Sequence, residues 1–278
     1  MTAMTSFVSR LLTGAAGLLI SVAVQGGTLK LDRDPLQGAL IIGRTDPGAT
    51  VKLDGNPVRV SKDGVFLLGF GRDAPTQAQL DAVFSDGSRI RRDLQVAQRT
   101  YDVQRIDGLP PSKVSPSEKD MVRIRKDIAQ VKKARARDDA REDFLGGFAW
   151  PVKGRISGVY GSQRILNGEP RRPHFGVDIA APVGTIVRAP ADGVVTLTHK
   201  DMFFSGGTLI VDHGHGLSST FMHLNAILVK EGKHIHQGDV IAEVGATGRV
   251  SGPHLDWRMN LRGRRLDPQL LMGPMASQ

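Results

Sequence analysis

The sequence predicts a mostly β protein. Glycine is abundant at 33 of 278 residues and aromatics are scarce at 5%, a composition that favours short strands joined by tight turns. Apolar runs of four to six residues are punctuated by Asp-Gly and Gly-Gly pairs along most of the chain. With 40% hydrophobic residues there is enough apolar material for a substantial core and more than one domain.

The elements follow in chain order. "MTAMTSFVSRLLTGAAGLLISVAVQGG" sets one cation, Arg10, before an apolar run from Leu11 to Val24 and then small residues. That is the order of a secretory signal peptide, expected over 1–26, with cleavage after Ala23. The run is shorter than the ~20 residues that span a bilayer, so no stable transmembrane anchor is expected after cleavage. The chain contains no cysteine, which excludes a disulfide framework and a lipidated cysteine.

Over 27–99 the runs "GALIIG", "TVKLD", "VFLLGF", "DAVF" and "IRRDLQV" alternate with Asp54-Gly55, Asp63-Gly64 and Asp86-Gly87. Asp-Gly supplies the positive-φ positions of two-residue hairpin turns, so a small antiparallel β-sandwich is expected. It carries no histidine and reads as a spacer or binding module. A linker over 100–147 follows Pro110-Pro111. Ser115 with Glu118 offers a capping box for a charged helix over about 116–144, whose narrow stripe is Met121, Ile124, Ile128 and Val131. Its basic cluster "VKKARAR" is expected on a solvated face.

The region 148–278 holds all eight histidines, among glycine turns and alternating strands. Three elements stand out. "PHFGVDIA" places His174 and Asp178 as H-x-x-x-D, "STFMHL" presents His223, and "VSGPHLDW" sets His254 and Asp256 two apart. On a strand, residues two apart project from one face, and imidazole and carboxylate are both zinc ligands. His199, His213, His215, His234 and His236 lie outside these elements and read as turn or surface residues.

A formal net charge of +9 points to an anionic partner. Nucleic acid is not that partner, since no zinc-finger, homeodomain or RNA-binding aromatic signature is present. "VKEGKHIHQGDVIAEVG" has the turn rhythm of a biotinyl- or lipoyl-type carrier, but no modifiable Met-Lys-Met hairpin accompanies it.

In this order, "HFGVD", "FMHL" and "GPHLD", with the segments "APVGTIVRAPADGVV" and "GGTLIVDHGHGLSSTFMHL", resemble the lysostaphin-like, or LytM-type, zinc endopeptidases of bacterial cell walls. The resemblance covers roughly 148–272. It implies a glycine-rich, antiparallel, barrel-sandwich-like β domain and a Zn2+ cofactor. It further implies His174 and Asp178 as metal ligands, His223 and His254 as the catalytic non-ligand pair, and peptidoglycan cross-links as substrate, in the periplasm or cell envelope.

At one position the chain departs from the family, which has a histidine ligand where Asp256 stands. A carboxylate can reach an ion from that backbone, so His174, Asp178 and Asp256 form the expected metal set. Two carboxylates neutralise the ion more fully, which predicts a less acidic bound water and an alkaline activity profile unless the surroundings compensate; such oxygen-rich coordination also suits Mn2+. Degenerate members of the family act as activators of separate wall amidases, so cell-division or amidase proteins are the partners in the alternative reading. Ser157–Pro173 is expected to form a loop beside the site, with Tyr160, Arg164 and Asn167 contacting substrate.

Overall fold

The computed structural model describes residues 27–273 and 275; the expected signal peptide lies outside them. Among the described residues no helix is long and apolar enough to cross a membrane. The fold is mostly β, as its composition requires, built from open sheets of which none closes into a barrel.

The first seven strands are β1 (Leu29–Leu31), β2 (Leu40–Thr45), β3 (Thr50–Leu53), β4 (Asn56–Val58), β5 (Val65–Gly69), β6 (Gln77–Val83) and β7 (Arg89–Gln95). They make two antiparallel sheets, β1-β2-β5 and β4-β3-β6-β7. Asp54 and Gly55 join β3 to β4 with φ of 50° and 76°, the paired positive φ of a tight hairpin turn. Strand alternation then decides what β2 and β5 bury. Ile41, Phe66 and Leu68 pack with Val51, Leu53 and Leu80 of the second sheet. On the opposite face, Leu40, Val65 and Leu67 enter the core of the C-terminal region. Both faces of β5 are therefore buried, and the N-terminal strands share a core surface with the histidine-bearing part.

The linker is more structured than a charged helix alone. Strand β8 (Val103–Ile106) precedes a four-residue helix α1 (Pro111–Val114) and a long helix α2 (Glu118–Ala134). The N-cap of α2 is Ser117, not Ser115, and Asp120 closes the capping box in place of Glu118; the Ser117 hydroxyl accepts from Asp120 N–H at 3.2 Å. The helix stops at Ala134, ten residues before the expected end, because the next residue turns inward: Arg135 donates to Thr220 Oγ1 at 2.6 Å. The "VKKARAR" cluster is thus not wholly solvated.

Strands β9 (Arg155–Gly158), β10 (Gln163–Leu166), β11 (Glu169–Pro170) and β12 (Val177–Ala180) open the C-terminal region, followed by β13 (Ile186–Arg188), β14 (Gly193–Met202), β15 (Gly206–Gly214) and β16 (Leu217–Leu224). It is completed by β17 (Ala226–Ile227), β18 (His234–Ile235), β19 (Val240–Glu243), β20 (His254–Leu261) and β21 (Arg264–Leu266). The principal sheet runs β18-β14-β15-β16-β20-β12-β9, with β21 on β20. One face of it, including Leu209, Phe221, Ile179, Leu255, Trp257 and Met259, is core. On the other face α2 lies beside β14 and β15, packing Val131 and Ala134 on Leu197, Met202 and Ile210.

The segment expected as a loop, Ser157–Pro173, is largely a hairpin. β10 and β11 pair across Asn167 and Gly168, whose φ values are 47° and 81°, and β8 of the linker adds to β10 in parallel.

Candidate metal centre

Period-two alternation on β20 sends Leu255, Trp257 and Met259 into the core and leaves His254, Asp256, Arg258 and Asn260 on the face beside α2. Asp178 on β12 lies directly opposite Asp256 in the antiparallel register. Two carboxylates facing each other across strands repel, and both are buried, with Asp178 6% and Asp256 0% exposed. Such a pair needs cations, and the surroundings supply them.

His174 reaches the same point from the preceding loop. Its backbone is pinned by His174 N–H to Ser162 O at 2.9 Å and Gly161 N–H to His174 O at 2.7 Å, and its side chain is buried, with Nε2 3.1 Å from Asp178 Oδ1. That short approach lacks hydrogen-bond geometry: both ring nitrogens of His174 and Asp178 Oδ1 are buried without a hydrogen-bond partner. Orphaned buried polar atoms are costly unless something unseen satisfies them.

His174, Asp178 and Asp256 each offer an atom within 4.8 Å of the others. One imidazole nitrogen and two carboxylate oxygens form a donor set that fits a divalent ion such as zinc, and it is the one such cluster among the described residues. Two glycines make room for it. A Cβ on Gly158 would sit 2.3 Å from Asp178 Oδ2, and one on Gly176 2.8 Å from Asp256 Oδ1.

Two arginines complete the electrostatics. Arg258 grips both oxygens of Asp256, Nε to Oδ1 at 2.9 Å and Nη2 to Oδ2 at 2.6 Å. Arg164 donates to Asp178 Oδ2 at 2.5 Å. Burial works against ionisation of Asp256, but the Arg258 guanidinium outweighs it and holds the carboxyl well below the usual range. Asp178 is likewise lowered: His174 and Arg164 overcome its burial and its repulsion by Asp256. The expectation of an alkaline profile rested on an uncompensated second carboxylate. Arg258 removes that premise, because Asp256 and Arg258 together carry the net charge of a neutral histidine.

His223 and His254 stand beside the cluster with ring centroids 4.9 Å apart. His223 Nδ1 lies 2.8 Å from Thr247 O, and His254 Nδ1 2.8 Å from Gly252 O. A carbonyl only accepts, so each Nδ1 carries the proton and each Nε2 presents a lone pair. His254 Nε2 is 3.8 Å from Asp178 Oδ1. Burial, reinforced by the neighbouring His254, pushes the His223 pKa down to about 4 and keeps it neutral at pH 7. His223 also has φ of 65°, a left-handed backbone uncommon outside glycine and a mark of functional sites.

The three residues expected to touch substrate fare differently. Tyr160 is 1% exposed and donates its hydroxyl to Arg265 O at 2.8 Å, so it is core, held between Tyr101 and Phe175. Asn167 spends its amide on the linker, Nδ2 to Leu109 O at 2.7 Å and Oδ1 from Leu109 N–H at 3.1 Å. Arg164 alone reaches the site, through Asp178. His215 lies in the turn between β15 and β16 with φ of 51°, whereas His213 is on β15; both are buried, at 1% and 0% exposure, and neither belongs to a metal cluster among the described residues. The arginine contributions were legible only in part: Arg258 follows Asp256 by two on a strand, so alternation places it on the same face, whereas Arg164 meets Asp178 through tertiary packing.

Residues 172–268 match peptidase family M23, a family of metallopeptidases. Peptidoglycan DD-endopeptidase ShyA of Vibrio cholerae serotype O1 is 38% identical over 131 residues, 46% of this chain and 30% of the relative. DD-carboxypeptidase/endopeptidase Mpg of Neisseria meningitidis serogroup B is 38% identical over 114 residues, 41% of this chain and 26% of the relative. The chain therefore spans less than a third of the length of these curated relatives. The crystal structure of a putative peptidase M23 from Pseudomonas aeruginosa superposes with a TM-score of 0.62 at 28% identity, covering 87% of this chain and 96% of that one.

Proposed function

From a chain whose residues 172–268 match peptidase family M23, we propose an exported zinc metalloendopeptidase that hydrolyses peptide cross-links of bacterial peptidoglycan. The observation that carries this reading is the convergence of His174, Asp178 and Asp256, with orphaned donor atoms, beside two histidines whose Nε2 atoms are free. His174, Asp178 and Asp256 would hold the ion, which when bound would supply Lewis-acid polarisation of the scissile carbonyl and acidify water.

The remaining chemistry belongs to the chain. His254 Nε2 accepts the proton of the attacking water and later returns it to the leaving amine. His223, neutral and held through Nδ1 by Thr247 O, accepts from that water at Nε2 and orients it, and His254, while its Nε2 holds the proton, donates towards the developing oxyanion. Arg258 keeps Asp256 ionised and aimed, and Arg164 does the same for Asp178. The basic charge of the chain suits an anionic wall, and relatives named for peptidoglycan support an extracytoplasmic location.

The alternative is a metal-free module that binds and switches on a separate cell-wall amidase. One observation favours it: guanidiniums already neutralise both carboxylates. Metal content separates the two. Mature chain purified without chelator is expected to hold near-stoichiometric zinc, lost in Asp256→Ala, and to cleave cross-linked muropeptides. No zinc even after its addition, and no cleavage, would overturn the peptidase reading in favour of the activator.

A further inference from the structure

Between α2 and the open face of the principal sheet lies a groove of about 720 Å3, a volume typical of ligand sites. Its helix side presents Ile124, Ile128 and Val131 among Asp127 and Lys132, and Arg135 at the C-terminal end of α2 joins Arg172, Arg265 and the amide of Asn260 in a cationic wall. Arg135 and Arg265 are half-buried and Arg172 is exposed; none has a carboxylate within 4.0 Å among the described residues, although most other half-buried arginines do. Arg135 touches only Thr220 Oγ1, and Arg265 only Asn260 Oδ1 at 3.4 Å. The rim carboxylates are engaged elsewhere: Asp127 accepts from Phe203 N–H at 2.7 Å, and Asp138 pairs with Arg59 and Arg262.

Two further observations indicate that the groove lacks an anion. Asn260 is 1% exposed, yet its Nδ2 has no acceptor, and Arg135 Nε is buried without one. Burial and the crowding of Arg265 and Arg258 lower the pKa of Arg135, and burial with the charges of Arg258 and Arg172 brings Arg265 down to about 10. A half-buried group of like charges is unfavourable until something negative joins it.

We propose that this groove is a subsite for a carboxylate of the substrate peptide, held by Arg135, Arg172 and Arg265 with Asn260 as a further donor. Its distance from the metal cluster follows from the strand. Asp256 and Asn260 are four residues apart on the same face of β20, about 13 Å at ~3.3 Å per residue. An extended peptide with its scissile bond at Asp256 therefore reaches the groove with a group about three or four residues away. The apolar helix wall takes small aliphatic side chains beside that carboxylate. The inference rests on the peptidase reading for the direction in which the peptide runs, and specifies an anionic stem peptide over an amidated one.

The test uses the full chain and two synthetic stem peptides, one with γ-linked D-glutamate bearing a free α-carboxylate and one with that carboxylate amidated. Binding is measured by calorimetry and hydrolysis is followed in parallel. The free-carboxylate peptide is expected to bind at least tenfold tighter, and Arg172→Met and Arg135→Met to reduce that ratio to about twofold with zinc content unaltered. Arg172 is exposed and lines the groove, so its variant tests the subsite without disturbing the fold. Equal affinities for both peptides, or a preference that survives in both variants, would overturn the inference. Hydrolysis of both peptides with equal KM would overturn it and leave the peptidase reading standing. Discriminating binding without any hydrolysis would uphold it and sink the peptidase reading.

Discussion

Replacing Arg258 by Met keeps most of the side-chain volume and removes the charge that faces Asp256. Asp256 is 0% exposed and both its oxygens are engaged by that one guanidinium. With charge centres about 4 Å apart and an effective dielectric near 20, the attraction lost is about 4 kcal/mol. Breaking a buried pair by removing one partner costs about 3–5 kcal/mol, and because the Arg258 side chain is 23% exposed the lower end applies. At about 3 °C per kcal/mol for a domain of this size, the metal-free variant should melt roughly 10 °C below wild type.

Zinc supplies the missing positive charge, so its addition should recover much of that loss, and the thermal shift produced by zinc should be larger in the variant than in wild type. The assay is a melt of chelator-treated protein with and without a zinc titration. A melting temperature in chelator within about 2 °C of wild type would refute the argument that Asp256 is a buried carboxylate dependent on Arg258. An unchanged zinc shift would refute its being a ligand.

Gly158→Ala drives a Cβ to within 2.3 Å of Asp178 Oδ2, so zinc affinity measured by chelator competition should fall by about tenfold or more while circular dichroism is retained, the order expected when a ligand's support is lost. His174→Ala and Asp178→Ala should each abolish zinc binding by mass spectrometry. His223→Ala should keep zinc and lower kcat by about two orders of magnitude or more; full activity in that variant would remove His223 from the proton chemistry. His213 carries a pH signature of its own. Burial pushes its pKa from 6.5 down to about 4, so as pH falls below 6.5 the unfolded chain takes up the proton first. The stabilisation is complete above 6.5 and is lost between 6.5 and 4, an amount of about 3 kcal/mol. Urea unfolding at pH 4.5 and 7.5 should show a smaller pH difference in His213→Gln than in wild type.

Much of this molecule is legible without a structure because its signals are local. Alternation and Asp-Gly turns depend on neighbours along the chain, so the β class, the Asp54-Gly55 hairpin and the shared face of His254 and Asp256 can be read from residue types alone. The charged helix is legible from its apolar stripe, but its end is not, because that end is set by Arg135 reaching Thr220, 85 residues away.

What tertiary structure alone decided is where the charges meet. Strand register sets Asp178 opposite Asp256, and the hairpin carrying Arg164 folds back onto Asp178. The same packing buries Tyr160, which composition places at a surface loop. These are long-range juxtapositions, and Coulomb energy depends on distances and burial that no one-dimensional spacing encodes. The residue types of the site were therefore present in the sequence, whereas the charge balance around Asp178 and Asp256, the proposed ligands, arose only when β10, β12 and β20 came together.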